Sequence, residues 1–233
     1  MLVLAVDTSS VVATCAILEK DRLVAERVLN NKMTHSQTLM PMIEDMMLES
    51  QIELNQIDYF AVVTGPGSFT GLRIGVATVK ALAHGVQKPV IGVPSMEALA
   101  YNLYCAEGII VPMMDARRDR VFTGIYKWEN GELHTIMDQD VLEIDILIEK
   151  LKEYDKIWLC GDGSIKFKDR FVESLNGKLK FANVSCNMPR ASVVGEAAFK
   201  RIEENKIQNY LELVPDYLRK SQAEREYDER NNN

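Results

Sequence analysis

The sequence contains no C-x-x-C pair, and its four cysteines, Cys15, Cys105, Cys160 and Cys186, stand far apart. Its three histidines, His35, His84 and His134, are equally scattered, so neither residue type reaches the spacing of a metal site. Buried or idle thiols and solvated or capping imidazoles are the reading this leaves. Positive charge is also scarce: 27 Lys and Arg stand against 34 Asp and Glu, a formal net charge of -7 at pH 7. Affinity for a phosphate backbone comes mostly from Lys and Arg displacing condensed cations, so tight direct binding to nucleic acid is not expected. A long apolar run is missing too. Leu2 to Val6 is interrupted by Asp7 and has no basic flank, which argues against a signal peptide or membrane span and makes the cytoplasm the expected location. The acidic, aromatic-poor segment Gln222 to Asn233 is expected to fray.

What is present suits a globular protein: 233 residues, 47% hydrophobic and 26% charged, can bury one large core or two smaller ones side by side. Three extended runs open the chain, Leu2 to Asp7, Val12 to Glu19 and Leu23 to Leu29, linked by the polar turns Thr8-Ser9-Ser10 and Lys20-Asp21-Arg22. A helix over Thr34 to Ser50, a strand over Tyr59 to Thr64, a helix over Gly71 to Val86 and a strand over Val90 to Val93 follow. The second half repeats the order. Strands are read over Ile109 to Met114, Val121 to Trp128 and Leu133 to Met137, the last two joined by Asn130-Gly131, a two-residue hairpin signal. A helix over Ile144 to Tyr154, a strand over Lys156 to Cys160, another helix, a weak strand near Phe181 and a helix over Ser192 to Asn205 complete it.

Hairpins feeding mixed sheets with helices on their faces, used twice, describe an α/β protein of the actin-like or sugar-kinase architecture. Two duplicated ribonuclease-H-like βββαβα domains are expected, at 1–104 and 105–221 with a return helix, followed by the polar tail 222–233. Asp7 and Asp115 end the first strand of each half, while Gly65-Pro66-Gly67 and Gly161-Asp162-Gly163 each follow the fourth. These matched turns are expected to face each other across a cleft.

Each motif has two readings. At Asp7-Thr8-Ser9 a carboxylate and two hydroxyls can bind magnesium-phosphate, or they can satisfy the backbone of a tight turn, which is the commoner use. From Thr64 to Arg73 the chain runs from strand into helix, where backbone amides favour an anion. Gly65, Gly67 and Gly71, with Ser68 and Thr70 between them, can equally provide turn geometry and close packing. The loop lacks the Gly-Lys-Ser/Thr of a Walker A motif. The first helix carries an expected capping box, Thr34 with Gln37, and apolar residues Leu39, Met40, Ile43, Met46 and Met47, with Met42 widening the surface. One apolar stripe means core, but five methionines between Met33 and Met47 suggest a second face that adapts to a partner. Gly71, Gly75, Ala77, Thr78 and Ala81 keep the second helix small enough for close approach. Arg117, Arg118 and Arg120 read as a charged turn able to meet a nucleotide or a carboxylate.

Together these residues resemble the TsaB (YeaZ) family: Val6-Asp7-Thr8-Ser9, Thr34-His35-Ser36, Gly65 through Arg73, Asp115-Ala116-Arg117-Arg118 and Pro215-Asp216-Tyr217-Leu218-Arg219. The resemblance implies a non-catalytic subunit for N6-threonylcarbamoyladenosine (t6A) formation on tRNA. Such a subunit would bind and activate a TsaD-type transferase, help recruit a TsaE-type ATPase, and touch tRNA only through the complex. Ser95 and Leu99 stand where TsaD has its His-x-x-x-His metal pair, and leucine cannot ligate a metal. The expected contact surface is His35, Leu39, Met42, Ile43, Met46, Met47, Arg73, Gly75, Val76 and Val79, which also suits a homodimer. No tightly bound cofactor and no metal are implied. The turns at Asp7, Thr8, Ser9, Gly65, Gly67, Ser68, Thr70, Gly71, Asp115, Gly161 and Gly163 leave open a nucleotide at the complex interface. The competing enzyme readings are a small-molecule kinase or ATPase of the same fold, recruiting Asp7, Asp115 and Asp162, and peptide hydrolysis, for which no nucleophile-base pair stands out.

Overall fold

The computed structural model describes residues 1–31, 33–104 and 106–218. Cys105, Arg219 and the segment 222–233 lie outside the described residues.

β1 (Leu2–Asp7) is buried from Val3 onward, and its alternating side chains feed two cores. Val3 and Ala5 enter one, Leu4 and Val6 the other. A strand covered on both faces is apolar on both, which is why Leu2 to Val6 reads as a continuous run that only Asp7, at its end, interrupts. β1 pairs antiparallel with β2 (Val12–Glu19), and β2 with β3 (Arg22–Asn30). On its other side it pairs parallel with β4 (Tyr59–Gly65), which is followed by β5 (Val90–Pro94). The sheet order is β3-β2-β1-β4-β5. Two helices, α1 (His35–Ser50) and α2 (Phe69–Val86), pack their apolar stripes on the Leu4 and Val6 face.

The second sheet contains β6 (Ile109–Arg117), β7 (Arg120–Glu129), β8 (Glu132–Glu143), β9 (Ile157–Cys160) and β10 (Leu179–Phe181). Its order, read as β8-β7-β6-β9-β10, repeats the first sheet position by position, with the same parallel and antiparallel pairings. α4 (Ile144–Leu151) joins β8 to β9, and α5 (Asp162–Lys166) with α6 (Lys168–Leu175) joins β9 to β10. The expected α/β class and duplicated topology are both found. Asn130 and Gly131 take left-handed φ values of 53° and 80°, the backbone that the hairpin signal demands.

Three local readings are corrected. α3 (Ser95–Tyr101) is an additional short helix after β5; Pro94 before it and Glu97 in its first turn are ordinary start signals. α2 begins at Phe69, because Ser68 Oγ caps it by accepting from Gly71 N at 3.3 Å. The Thr34–Gln37 capping box does not form. Gln37 N donates to the Thr34 carbonyl, and the Thr34 hydroxyl lies 3.2 Å from Ser36 Oγ.

α7 (Ala191–Glu203) returns to the first sheet, where Val194, Ala197, Ala198 and Phe199 cover Val3, Ala5, Ala16 and Leu18. Its start is held by Glu26 of β3. That carboxylate accepts from Ser192 N at 2.9 Å, Ser192 Oγ at 2.7 Å and the Arg190 guanidinium. Burial raises the Glu26 carboxyl, but the hydrogen bonds from Arg190 and Ser192 outweigh it and hold the carboxyl below its usual 4.5. A depressed carboxylate stabilises the fold above its unfolded value and loses that contribution as pH falls through the folded one. Glu26→Gln is therefore expected to cost about 2 kcal/mol near pH 7 and progressively less in acid, measured by urea denaturation against the parent protein.

Beyond α7 the chain straps back over the first half. Gln208 bridges to Val90, Lys80 Nζ donates to the Leu211 and Leu213 carbonyls at 3.2 and 2.8 Å, and Leu213 is buried beneath α2. Asp216 N donates to the Thr64 carbonyl at 2.7 Å.

Candidate functional site

The end of β1, the glycine-rich loop and the first turns of α1 and α2 meet in one place. Asp7, Thr8 and Ser9 are all buried there. Asp7 Oδ1 accepts from Ser9 N at 2.7 Å, Thr8 Oγ1 donates to the Gly71 carbonyl at 2.8 Å, and Ser68 N donates to the Ser9 carbonyl at 2.7 Å. His35 Nε2 lies 2.8 Å from the Ser10 carbonyl, tying the start of α1 to the same turn. Ser9 Oγ and His35 Nδ1 are buried without a hydrogen-bond partner among the described residues. Burial raises the Asp7 carboxyl from 3.8 to about 6, against the opposing pull of Ser9 and the nearby His35.

The glycines serve close packing. A Cβ on Gly67 would lie 2.4 Å from the Ser9 carbonyl oxygen, and one on Gly71 only 2.0 Å from that of Thr8. The backbone of the Asp7 turn thus fills the space in front of α2, and the amides of Ser68 and Gly71 already have partners within the chain. This arrangement does not fit a phosphate.

In the second half, Asp115 Oδ1 accepts from Arg117 N at 2.9 Å and Oδ2 from Lys166 Nζ at 2.8 Å, while Asp162 Oδ1 accepts from Asp115 N at 3.1 Å. Burial raises the Asp162 carboxyl. Gly161 has φ 89° and packs on the Met113 carbonyl, its N–H donating to Asn187 Oδ1 at 2.8 Å; Gly163 lies against Met113 and Val121. Gln139 of β8 ties the second half to the first. Its Nε2 donates to the Gly65 carbonyl at 3.1 Å and to Asp216 Oδ2 at 3.2 Å. No sequence signal marked this residue. Ser95 and Leu99 on α3 are both buried, Leu99 against Gly161.

The expected contact surface on α1 and α2 is redrawn. Leu39, Met42, Ile43 and Met46 on α1, and Gly75, Val76 and Val79 on α2, are buried in the first half's own core. Met47 is half-buried, as are Met40, Ile74 and Leu82, while Leu48 is 78% exposed and Ala77 and Ala81 are exposed. Arg73 is exposed but engaged: its Nε donates to Tyr217 Oη at 3.0 Å, and its guanidinium lies 3.9 Å from the Phe69 ring centroid. Phe69 stacks on Tyr217 at 4.5 Å, fastening the strap to α2. Of the thiols, Cys15 and Cys160 are buried, and burial pushes Cys15 up to about 12.

Residues 22–227 match the family model described as TsaD: tRNA N6-adenosine threonylcarbamoyltransferase. The tRNA threonylcarbamoyladenosine biosynthesis protein TsaB of Bacillus subtilis (strain 168) is 36% identical over 226 residues, covering 96% of both chains. The chain belongs to the TsaB (YeaZ) family. The TsaB of Escherichia coli (strain K12) is 29% identical, again over 96% of each. Among solved structures, YeaZ from Pseudomonas aeruginosa aligns with a TM-score of 0.79 at 26% identity, covering 93% of this chain and 99% of that one. A ROK hexokinase from Thermus thermophilus, at 11% identity and a TM-score of 0.52 over 88% of this chain, shares the fold. Among the described residues, no helix is long and apolar enough to cross a membrane.

Proposed function

We propose that the chain is a non-catalytic subunit required for t6A formation on tRNA, working in the cytoplasm by binding and activating a TsaD-type transferase and helping to recruit a TsaE-type ATPase. The observation that carries this reading is the match to TsaB relatives along 96% of the chain. The outer faces of α1 and α2 support it. Leu48, Ala77 and Ala81 are exposed beside half-buried Met40, Met47 and Ile74, an apolar and adaptable surface on two adjacent helices. A partner that prefers one state of the transferase populates that state, and this needs no chemistry from the chain itself. The same face can pair two copies in the absence of the transferase.

The test is threonylcarbamoyl transfer to tRNA by a TsaD-type transferase, a TsaE-type ATPase and the activated adenylate, with and without the chain, and with Leu48→Asp or Ala81→Glu. Transfer should require the chain and fall at least tenfold with either variant. Thermal stability should change by no more than about 0.5 kcal/mol, because both sites are on the surface. Transfer that proceeds equally without the chain sinks the reading.

A further inference from the structure

Gln139 stands at a β-bulge. Thr123 pairs with Asp140 and Ile125 with Met137, so Gly124 of β7 faces two residues of β8, Asp138 and Gln139. Such an extra residue bends its strand and re-aims a side chain. Here the Gln139 amide reaches out of the second half and uses both of its ends. Oε1 accepts from Met96 N at 3.4 Å, one of the N–H groups that the first turn of α3 leaves without a helical partner. Nε2 donates to the Gly65 carbonyl at 3.1 Å and to Asp216 Oδ2 at 3.2 Å. One side chain therefore joins β8 to three segments of the chain: the start of α3, the glycine-rich loop and the strap.

The strap carries that tie along α2. Tyr210 Oη donates to Gln87 Oε1 at 3.0 Å, Lys80 Nζ holds the Leu211 and Leu213 carbonyls, and Tyr217 stacks on Phe69 and accepts from Arg73. It thus follows α2 from its last turn to its first. At that first turn the strap is seated directly on the loop, since a Cβ on Gly65 would lie 2.3 Å from the Asp216 carbonyl oxygen and Asp216 N donates to the Thr64 carbonyl. Arg73, gripped by Tyr217, is one turn from exposed Ala77 on the proposed partner face.

We propose that Gln139, Asp216 and Tyr217 form a latch that couples closure of the two halves to the presentation of α2, so that a TsaD-type transferase on the α1–α2 face binds the latched chain best. The inference rests on the proposed function and deepens it by naming what regulates that face. Gln139 belongs to the second half and acts through the strap. With the latch made, the loop before α2, its first turn and Arg73 are fixed in advance, and a partner need not order them on binding. With it broken, apparent affinity falls by the fraction of chains still latched. The coupling is reciprocal, so the transferase must in turn tighten the latch.

The experiment follows hydrogen exchange of the full chain, alone and with the transferase, and measures transferase affinity by calorimetric titration. Gln139→Met keeps the length of the side chain and removes its three hydrogen bonds; Gln139→Glu sets a second carboxylate against Asp216. In the chain alone both should speed exchange in Thr64–Arg73 and in the strap, Gln139→Glu more. Gln139→Glu should weaken transferase binding by about fivefold or more. Gln139→Met and Tyr217→Phe, which loses only the hydroxyl on Arg73, should weaken it less but in the same direction. Ile148→Val, which loosens the second core without touching the latch, should leave affinity unchanged. In the parent, saturating transferase should slow exchange around Met96 and Gln139. Faster exchange confined to the neighbours of Gln139, unchanged affinity in the Gln139 variants, or an equal loss in Ile148→Val overturns the inference and leaves the proposed function standing. A parent chain that does not bind the transferase refutes the proposed function, and the coupling with it.

Discussion

Asp7→Asn is expected to stabilise the protein at pH 7 by about 3 kcal/mol, the equivalent of raising a buried carboxyl from 3.8 to about 6. Asn keeps the shape of Asp and the oxygen that accepts from Ser9 N, so the turn loses only its charge. The sign is opposite to that at Glu26. A carboxyl raised on folding holds its proton more tightly in the folded state, so the parent protein is penalised fully above pH 6, decreasingly between 6 and 4, and hardly at all below. The difference between Asp7→Asn and the parent should therefore shrink from about 3 kcal/mol at pH 7.5 to less than about 1 at pH 4.5, measured by urea denaturation at both. A difference of the same size at both pH values would mean that the Asp7 carboxyl is not raised. Natural sequences keep such a penalty where activity needs it. The transfer assay with Asp7→Asn tests this directly, since the charge lies beneath both helices of the proposed partner face.

The order of the strands and the duplication were legible because turn residues separate apolar runs of the right length, and Asn130-Gly131 admits only one kind of turn. α3 escaped because seven residues are too few for a helical period to declare itself. The faces of α1 were not legible for a different reason. Met46 and Met47 are chemically alike, and which of them meets the sheet depends on where β2 places Cys15 and Ile17, a tertiary fact. Burial of Asp7 was hidden in the same way: aspartate at a strand end reads as solvated until α2 is seen closing over it. The spacing of Gly67, Gly71 and Gly75 was visible as a motif, but its use was not. Only the position of the Thr8 and Ser9 carbonyls distinguishes close packing from an anion cradle. Gln139 shows the limit of such reading, for it joins Gly65 to Asp216 from an irregular stretch of β8 that leaves no pattern behind.

That close approach makes Gly71 the least replaceable glycine of the loop, and Gly71→Ala is expected to destabilise the protein by about 3 kcal/mol or more. Its backbone needs no glycine, since it lies within a regular helix, and alanine would favour that helix by up to about 1 kcal/mol. The opposing effect is larger. The new methyl group would sit 2.0 Å from the Thr8 carbonyl oxygen and 3.3 Å from His35 Cδ2, so α2 and the turn must separate by about 1 Å. Separation strains two hydrogen bonds, the buried one from Thr8 Oγ1 to the Gly71 carbonyl and that from Ser68 N to the Ser9 carbonyl, each worth about 1 kcal/mol. Gly85, fourteen residues along the same helix, is the matched control. No described residue lies within 4 Å of a Cβ there, so Gly85→Ala should stabilise by about 0.5 to 1 kcal/mol. Urea denaturation of both variants separates the two explanations of the glycine-rich segment. Opposite signs mean that its glycines exist to let α2 press against the Asp7 turn, and equal small gains mean that the turn yields easily enough to admit an anion after all.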